Sequence, residues 1–458
     1  MLPFVGPSYS LQNRKAAVQR TVNMYLAAME TAEKAAFILE SVPGLILRAS
    51  LGAEIRGCIY VDDRLFVIAG VTFYEVASNW AATSRGTLSS ATGPVDMVGG
   101  LSQVVIVDGA NGYVFTLGTN AFATISDPDF YGSSTVEYLD GFFVFIRPDT
   151  QQFYISAIDD ASTLDALDFA SAEGSPDNLV SQVVLHRELW LLGELSTEVW
   201  FNAGATFPFV RNNSAILEVG CLAQYSVVKA DSSVMWIGRD RNGSGMVYRT
   251  SGYQAIRIST QAIEESLSTS TALDEAEAWT YQQHGRTFYC INAPGVDTTW
   301  CYEISSGTWH ERCELDGLGE FTQGRVSCHV VAFGKHVVGD ADGGLYEMDR
   351  ETYTLAGDAL VRERTGPHEA TASLDRVTFN QFVLDTTTGE TASGDPQVYL
   401  SWSNDGGQVF GDPVARSIGE MGEYYPRVIW RRLGQSRDRV WRVRFDADAP
   451  FAIVGASA

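Results

Sequence analysis

Apolar and polar residues follow a pattern that recurs seven times between residues 64 and 349. In each unit an apolar strand leads into a short polar or Gly-rich turn, and a second strand carries an aromatic residue near its end. The units are Arg64–Val76, Leu101–Leu117, Tyr138–Ser156, Val183–Asn202, Ser232–Thr250, His284–Ile304 and Cys328–Asp349. Their closing aromatics are Tyr74, Tyr113, Tyr154, Trp200, Tyr248, Tyr302 and Tyr346, at intervals of 39, 41, 46, 48, 54 and 44 residues.

This spacing predicts a β-propeller. A recurrence of several short strands every 40–50 residues or so is typical of propeller blades, which bury their faces against one another in a ring. We therefore predict a mainly β protein with about seven blades over residues 51–355. The long interval between the fifth and sixth units predicts two short helices, one over 262–265 behind a capping Thr260 and one that starts at Thr271-x-x-Asp274 and runs to about Thr280.

Residues 1–50 precede the repeats, and the sequence is compatible with two secondary structures there. The Ala-rich stretch 15–39 has helix propensity. The stretches 22–26 and 37–40 also have the composition of two short strands around a polar middle. Pro43-Gly44 is a turn signal that ends this N-terminal segment.

Residues 359–458 lack the repeat and predict a second domain. Strand-like runs occupy 377–384, 397–403, 428–432 and 439–445. In the last run Trp441, Val443 and Phe445 alternate with Arg442 and Arg444, which predicts a half-buried strand with one apolar and one cationic face. A small antiparallel β-sandwich is the simplest arrangement of these strands.

The formal net charge of −24 changes the range of possible functions. It argues against a simple nucleic-acid binder, because such proteins bind phosphates through Lys and Arg, and it disfavours anionic lipid surfaces. No apolar run approaches the roughly 18–20 residues that span a bilayer, so we expect no membrane insertion. The N-terminus also lacks the cationic and apolar parts of a signal peptide, so synthesis in a cytoplasm is expected.

Positive charge is concentrated in residues 425–445, which carry +6 and leave −30 for the rest of the chain. This asymmetry indicates self-complementary assembly or an acidic partner, with a solvated strand face and a phosphate contact as the alternatives. A partner carboxylate is expected to meet each of these arginines that is buried in such a contact, because an unpaired buried charge is costly. The candidate partner-contact residues are Arg427, Arg431, Arg432, Arg437, Arg442 and Arg444.

The sequence contains no recognisable catalytic motif. It has no nucleophile elbow, P-loop, dinucleotide fingerprint or HExxH helix. The six cysteines form no C-x-x-C pair and predict reduced, mostly buried thiols. His310-x-x-Cys313 has no second pair to complete a zinc site. We therefore expect no catalytic residues, no metal and no cofactor.

Several ordered segments resemble one protein family, the tail-hub proteins of short-tailed bacteriophages, often labelled packaged-DNA stabilisation proteins. In the repeat region the matching segments are Met235-Trp-Ile-Gly238, Val247-Tyr-Arg-Thr-Ser-Gly-Tyr253, Arg257-Ile-Ser-Thr-Gln-Ala-Ile-Glu264, His284-Gly-Arg-Thr-Phe-Tyr289, Thr299-Trp-Cys-Tyr302, Trp309-His-Glu-Arg312 and Gly339-Asp-Ala-Asp-Gly-Gly-Leu-Tyr346. Outside it they are Asn23-Met-Tyr25, Pro43-Gly-Leu45, Ser403-Asn-Asp-Gly-Gly407 and Val428-Ile-Trp-Arg-Arg-Leu-Gly434. The match spans nearly the whole chain, although 76–200 share little beyond the repeat.

The resemblance implies a non-enzymatic structural protein of the virion tail. Six copies would ring the axis below the portal and its adaptor, contact a needle or plug and the tailspikes or fibres, and let DNA pass without specific binding. An acidic lumen that repels phosphates suits such a conduit. The alternatives from other classes are a tail-associated carbohydrate-active propeller enzyme, which needs a carboxylate pair in a pocket, and a monomeric receptor-binding propeller.

Overall fold

The computed structural model describes residues 3–31, 34–391 and 394–458, and strands dominate it. Of these residues, no helix has the length and apolar character needed to cross a bilayer. The N-terminal strands are β1 (Tyr9–Ser10), β2 (Val18–Val22), β3 (Met24–Ala28), β4 (Phe37–Ser41) and β5 (Gly44–Ser50). The strand alternative for this segment is therefore confirmed over its described residues.

Seven antiparallel sheets follow as the blades of a propeller. Blades one to three are β6 (Ile55–Val61), β7 (Arg64–Ala69), β8 (Thr72–Val76), β9 (Ala82–Thr87); β10 (Asp96–Gly99), β11 (Gln103–Val107), β12 (Gly112–Thr116), β13 (Ala121–Thr124); and β14 (Val136–Leu139), β15 (Phe142–Ile146), β16 (Gln152–Ala157), β17 (Asp160–Ser171). Blades four and five are β18 (Leu179–Leu185), β19 (Glu188–Gly193), β20 (Thr197–Asn202), β21 (Phe209–Leu217); and β22 (Gly220–Cys221), β23 (Val228–Ala230), β24 (Ser233–Arg239), β25 (Ser244–Ser251), β26 (Gln254–Arg257).

The helix α1 (Gln261–Leu267) separates the fifth and sixth blades. Blade six is β27 (Glu277–Gln283), β28 (Arg286–Asn292), β29 (Thr299–Glu303), β30 (Thr308–Leu315), with β31 (Phe321–Gln323) on its outer strand, and blade seven begins with β32 (Val326–Ala332), β33 (Lys335–Asp340), β34 (Gly344–Asp349). The prediction of a second helix, which would start at Thr271-x-x-Asp274 and run to about Thr280, is wrong. Only a 3-10 turn, Leu273–Glu275, forms there, because Trp279 and Tyr281 bury alternate side chains and pair with β28.

The recurrent aromatic of the sequence pattern belongs to the third strand of each blade, and six of the seven are buried. In blade two the Tyr113 hydroxyl donates to Asp108, 3.1 Å away, and in blade seven Tyr346 donates to Asp340 at 2.6 Å. Each aspartate lies at the turn before the tyrosine's strand. In these two blades the recurrent tyrosine therefore fixes a hairpin as well as filling the space between blades.

Ring closure uses a strand from the N-terminal segment. β5 pairs antiparallel with β34, so the fourth strand of the seventh blade precedes the first blade in the sequence. The innermost strands β6, β10, β14, β18, β23, β27 and β32 contact one another in a closed circle. Closing the ring in this way leaves no blade edge open between the first and last repeats.

A β-sandwich follows the propeller. After a short hairpin, β35 (Thr354–Leu355) and β36 (Asp358–Ala359), its strands are β37 (Arg362–Thr365), β38 (Glu369–Ala370), β39 (Val377–Thr378), β40 (Gln381–Thr386), β41 (Gln397–Ser403), β42 (Val414–Ser417), β43 (Val428–Arg431), β44 (Gln435–Ser436), β45 (Asp438–Phe445) and β46 (Ala452–Ser457). One sheet has the order β3-β4-β46-β40-β43, and the other includes β2-β37-β45-β41-β42. The predicted alternation in β45 is confirmed, since Trp441, Val443 and Phe445 are fully buried.

The N-terminal segment thus contributes strands to both sandwich sheets and to the last blade. The domains predicted from the sequence, residues 1–50, 51–355 and 359–458, do not include these pairings between segments. These domain boundaries stay a prediction.

Asn23 joins the two domains at the bend between β2 and β3. Its backbone φ of 53° is left-handed, a conformation that asparagine tolerates better than most residues. Its side-chain amide donates to the carbonyls of Cys313 in blade six and Val361 beside the sandwich, both at 2.8 Å. Its side-chain oxygen accepts from the Cys313 N–H at 3.0 Å. One buried side chain therefore holds three segments together.

A second set of contacts reinforces this joint. β2 pairs in parallel with β30, so blade six continues into the sandwich sheet. Buried Glu311 accepts from the Arg20 guanidinium, and this charge raises the pKa of Arg20 further above its usual value. Ser8 also donates to Glu311 at 2.9 Å. The propeller and the sandwich are thus linked by backbone pairing and a buried ion pair.

We expect Asn23→Ala to destabilise the protein by about 2–4 kcal/mol, because two buried carbonyls and one buried N–H lose their partner. The measurement is a shift of the urea unfolding midpoint. Asp149→Ala is the matched control, since Asp149 has a similar φ of 57° but lies exposed on a turn. Equal effects of the two substitutions would mean that backbone strain, and not the bridging amide, accounts for the loss.

Candidate functional site

The six arginines predicted to contact partners fall into two groups. Arg427, Arg431, Arg432 and Arg437 are exposed on or beside β43 and the following turn. Arg437 donates to the Leu374 carbonyl at 2.6 Å. The other three side chains make no hydrogen bond or ion pair with the described part of the chain. These three charges are therefore available to a partner.

Arg442 and Arg444 are half-buried and make contacts within the chain. The Arg442 guanidinium lies 3.4 Å from Glu363 Oε1 and stacks 3.5 Å from the centre of the Phe410 ring. Arg444 lies 5.8 Å from the Phe321 ring of blade six. These two side chains stabilise the sandwich and its junction with the propeller, and their contact with a partner stays a prediction.

Three further arginines form no ion pair within the described ranges and are almost completely buried: Arg362, Arg364 and Arg439. Burial lowers the pKa of Arg362 to about 10, of Arg364 to about 9 and of Arg439 to about 10. No carboxylate of the described residues pairs with these three guanidinium groups, and the contact of a partner's carboxylate with an arginine buried in an assembly stays a prediction.

Backbone oxygens and aromatic rings replace carboxylates around these guanidinium groups. Arg364 donates to the carbonyls of Phe4 and Pro7 and to Gln19 Oε1, which ties the N-terminal residues to β37. Arg439 donates to the Leu433 carbonyl and lies 4.7 Å from the centre of the Trp441 ring. Several oriented oxygens and a ring face solvate a delocalised cation without a counter-ion.

An exposed apolar loop precedes the arginines of β43. Met421 is 67% exposed, Tyr424 63% and Tyr425 95%. The loop is fixed from behind, since Gly422 donates its N–H to the Gly389 carbonyl at 3.0 Å. Tyr, Met and Arg are the residue types enriched in protein interfaces. The sequence analysis missed these three residues, because single apolar residues in a Gly-rich loop carry no periodic signal.

We call these residues together the sandwich patch: Met421, Tyr424, Tyr425, Arg427, Arg431 and Arg432. Its strand, β43, lies at the edge of its sheet. Charged side chains on an edge strand prevent indiscriminate strand pairing. The patch can therefore bind an acidic surface through side chains while its backbone edge is protected.

The propeller surrounds a central cavity of about 500 Å³. Three carboxylates line it, those of Asp96, Glu137 and Glu277. Burial raises the pKa of all three, to about 7 for Glu137 and Glu277, while Lys229 at 3.8 Å partly offsets the effect on Glu137. Within residues 3–31, 34–391 and 394–458, no three histidine, cysteine or carboxylate side chains converge to hold a metal ion.

The architecture defines a two-domain class of protein, in which a closed seven-bladed propeller is followed by a β-sandwich. The chain belongs to the bacteriophage P22 Gp10 family of tail-hub proteins, whose β-propeller model matches residues 6–353 and whose β-sandwich model matches residues 370–458. This membership confirms the resemblance, the fold class and the assignment to a structural protein of the phage tail.

No curated protein matches the sequence significantly. Among solved structures, the N-terminal domain of Nup159 matches with a TM-score of 0.43 and 9% identity over 73% of this chain and 99% of that one. The designed Ika8 protein matches with a TM-score of 0.41 and 14% identity, over 72% of this chain and 100% of that one. An extracellular domain of BT4673 from B. thetaiotaomicron matches with a TM-score of 0.45 and 10% identity, over 84% of this chain and 48% of that one. Because these TM-scores lie below 0.5, we base no inference on them.

We expect Glu277→Gln to stabilise the protein at pH 8 and to have little effect below about pH 4.5. The raised pKa means that the folded state resists ionisation of Glu277, so its stability contribution falls as pH rises from the unfolded pKa towards about 7. Thermal unfolding across this pH range measures the difference. A stabilisation that is the same at pH 4 and pH 8 would contradict a raised pKa of Glu277 in the folded protein.

Proposed function

We propose that this chain is a structural virion protein that forms a six-copy tail hub, or nozzle, below the portal–adaptor complex. In that position it retains packaged DNA and attaches the distal tail, including the needle or plug and the tailspikes or fibres. Membership of the Gp10 family is the observation that carries the proposal. The protein acts by position and shape, and we propose no enzymatic activity.

The dimensions of the propeller bear on where DNA passes. A passage only about 12 Å wide, the width of a single DNA major groove, continued over the roughly 13 Å length of a four-residue strand, has a volume of about 1,500 Å³. The central cavity, at about 500 Å³, is much smaller, so a DNA duplex does not pass through it. We therefore place the DNA channel between subunits, around the axis of the ring, and regard the propeller as a solid wall element.

Charge supports this arrangement. A ring of six chains at −24 each presents abundant carboxylate to its lumen, and phosphates slide past such a wall without being retained. Retention of DNA in this arrangement is mechanical, through the plug that the hub holds. Localisation in the virion tail follows from the same proposal, with synthesis in the cytoplasm of the host.

The exposed arginines of the sandwich patch suit a charge-complementary contact between neighbouring proteins of the tail. Its positive charges need an acidic counterpart, and the propeller offers one on the face where the first hairpin turn of each blade lies. Asp62 and Asp63 are exposed there in left-handed turn positions of blade one. Asp140 and Asp231 lie at the corresponding turns of two other blades, where Arg187 and Arg249 already pair with them. We propose that the patch contacts either this face of a neighbouring copy or an acidic surface of the adaptor.

Charge reversal at Arg431 and Arg432 should reduce incorporation of the protein into tails at least tenfold, because two attractive charges become repulsive at the contact. The readout is the copy number in particles assembled in vitro from hub-deficient heads. Thermal stability should change little, since both side chains are exposed and unpaired.

Arg241→Glu is the matched control, because Arg241 is also exposed but lies in a blade-five turn, away from the patch. Normal incorporation together with lowered stability of the Arg431→Glu/Arg432→Glu protein would show that the two arginines serve the fold alone.

The function itself is tested with particles that lack the protein. We expect such heads to package DNA to full length and then to lose it, because nothing seals the portal below the adaptor. Nuclease sensitivity of the genome after packaging is the measurement, and addition of purified protein should restore protection. Protected genomes in particles that still carry a complete distal tail would contradict the hub assignment.

A further inference from the structure

The propeller closes where its first and last blades meet, and the inner part of this seam has a distinctive construction. β6 of blade one lies against β32 of blade seven. Ser327 in β32 donates to the Ile55 carbonyl in β6 at 3.4 Å. Both strands carry a register shift close to this contact, between Ile55 and Gly57 and between Val326 and Cys328. Such bulges redirect side chains.

Two thiols face each other across the seam. The sulfur atoms of Cys58 in β6 and Cys328 in β32 lie 3.5 Å apart, with the Cys58 S–H donating. Both residues are half-buried and line the central cavity. Space for the Cys328 sulfur comes from Gly339, where a Cβ would lie 3.0 Å from that atom. Because a disulfide places its sulfur atoms about 2 Å apart, a shift of about 1.5 Å would bring this pair to bonding distance.

The other four thiols differ in access or in placement. Cys290 and Cys301 lie 3.1 Å apart but are fully buried on neighbouring strands of one blade, where a bond would add no link between blades. Cys221 and Cys313 are buried singly, and their sulfur atoms contact Ala223 and Thr298. Only the seam pair is open to the cavity and connects elements distant in the sequence.

We propose that Cys58 and Cys328 form a disulfide when the protein is oxidised by a small-molecule disulfide, and that this bond locks the propeller ring. One thiolate attacks the small disulfide, forms a mixed disulfide and releases one small thiolate. The second cysteine, after losing its proton, attacks the protein sulfur of the mixed disulfide and releases the other small thiolate. Two electrons pass from the cysteine pair to the oxidant.

The bond connects residues 270 positions apart and so joins the two ends of the ring covalently. Without it, closure depends on the pairing of β5 with β34 and on packing at the seam. The hydrogen bond to Cys328 and burial raise the pKa of Cys58, so little of this thiol is present as the reactive thiolate. Oxidation of the pair is therefore slow, and a reducing cytoplasm opposes it further.

The test uses the full-length protein, first reduced and then incubated with oxidised glutathione near pH 8.5. Titration of the denatured protein should find four free thiols in place of six. Mass spectrometry of a digest should find the peptides of Cys58 and Cys328 linked. Oxidation should raise the thermal midpoint by about 3–5 °C, reversibly with reductant.

Cys58→Ser and Cys328→Ser should each abolish the linked peptide and the shift in midpoint, whereas Cys290→Ser/Cys301→Ser should retain both. Six free thiols after exhaustive oxidation would overturn the proposal. So would a Cys290–Cys301 linkage in place of the seam bond, or stable glutathione adducts without a protein disulfide. Because the assay needs only the isolated chain, its failure would leave the hub proposal untouched.

Discussion

The structure depends on the double engagement of the N-terminal segment. β2 and β3 belong to the sandwich sheets, β5 belongs to the last blade, and Asn23, at the bend between β2 and β3, bonds to blade six. Since the segment pairs with strands more than 280 residues later in the chain, neither domain is complete until the chain has returned to its beginning. The two domains therefore share strands and form one continuous structure.

The arginines show how one residue type serves two purposes. Buried Arg362, Arg364 and Arg439 donate to backbone and amide oxygens and lie against aromatic rings, and so act as cross-links inside the sandwich. Exposed Arg427 and Arg431 face solvent on an edge strand. The sequence window shows only their summed charge. Burial separates the structural cations from those that a partner can reach.

Periodicity predicted the propeller well, because each blade is a local hairpin series whose tyrosines and turn residues recur at similar spacing. The strand 438–445 was predictable for the same reason, since Trp441, Val443 and Phe445 alternate with charged residues. Long-range pairing was not predictable: nothing local in β5 identifies β34 as its partner. The buried Arg364 was also beyond prediction, because its partners Phe4 and Pro7 lie at the opposite end of the chain.

We propose that the chain forms a ring whose propellers line a DNA channel. Electron cryo-microscopy of the intact tail would resolve this arrangement. We expect six copies around the tail axis directly below the adaptor, with the sandwich patch buried at a subunit or adaptor contact and DNA density between subunits. A different copy number at that position, or a location at the outer end of the fibres, would contradict it.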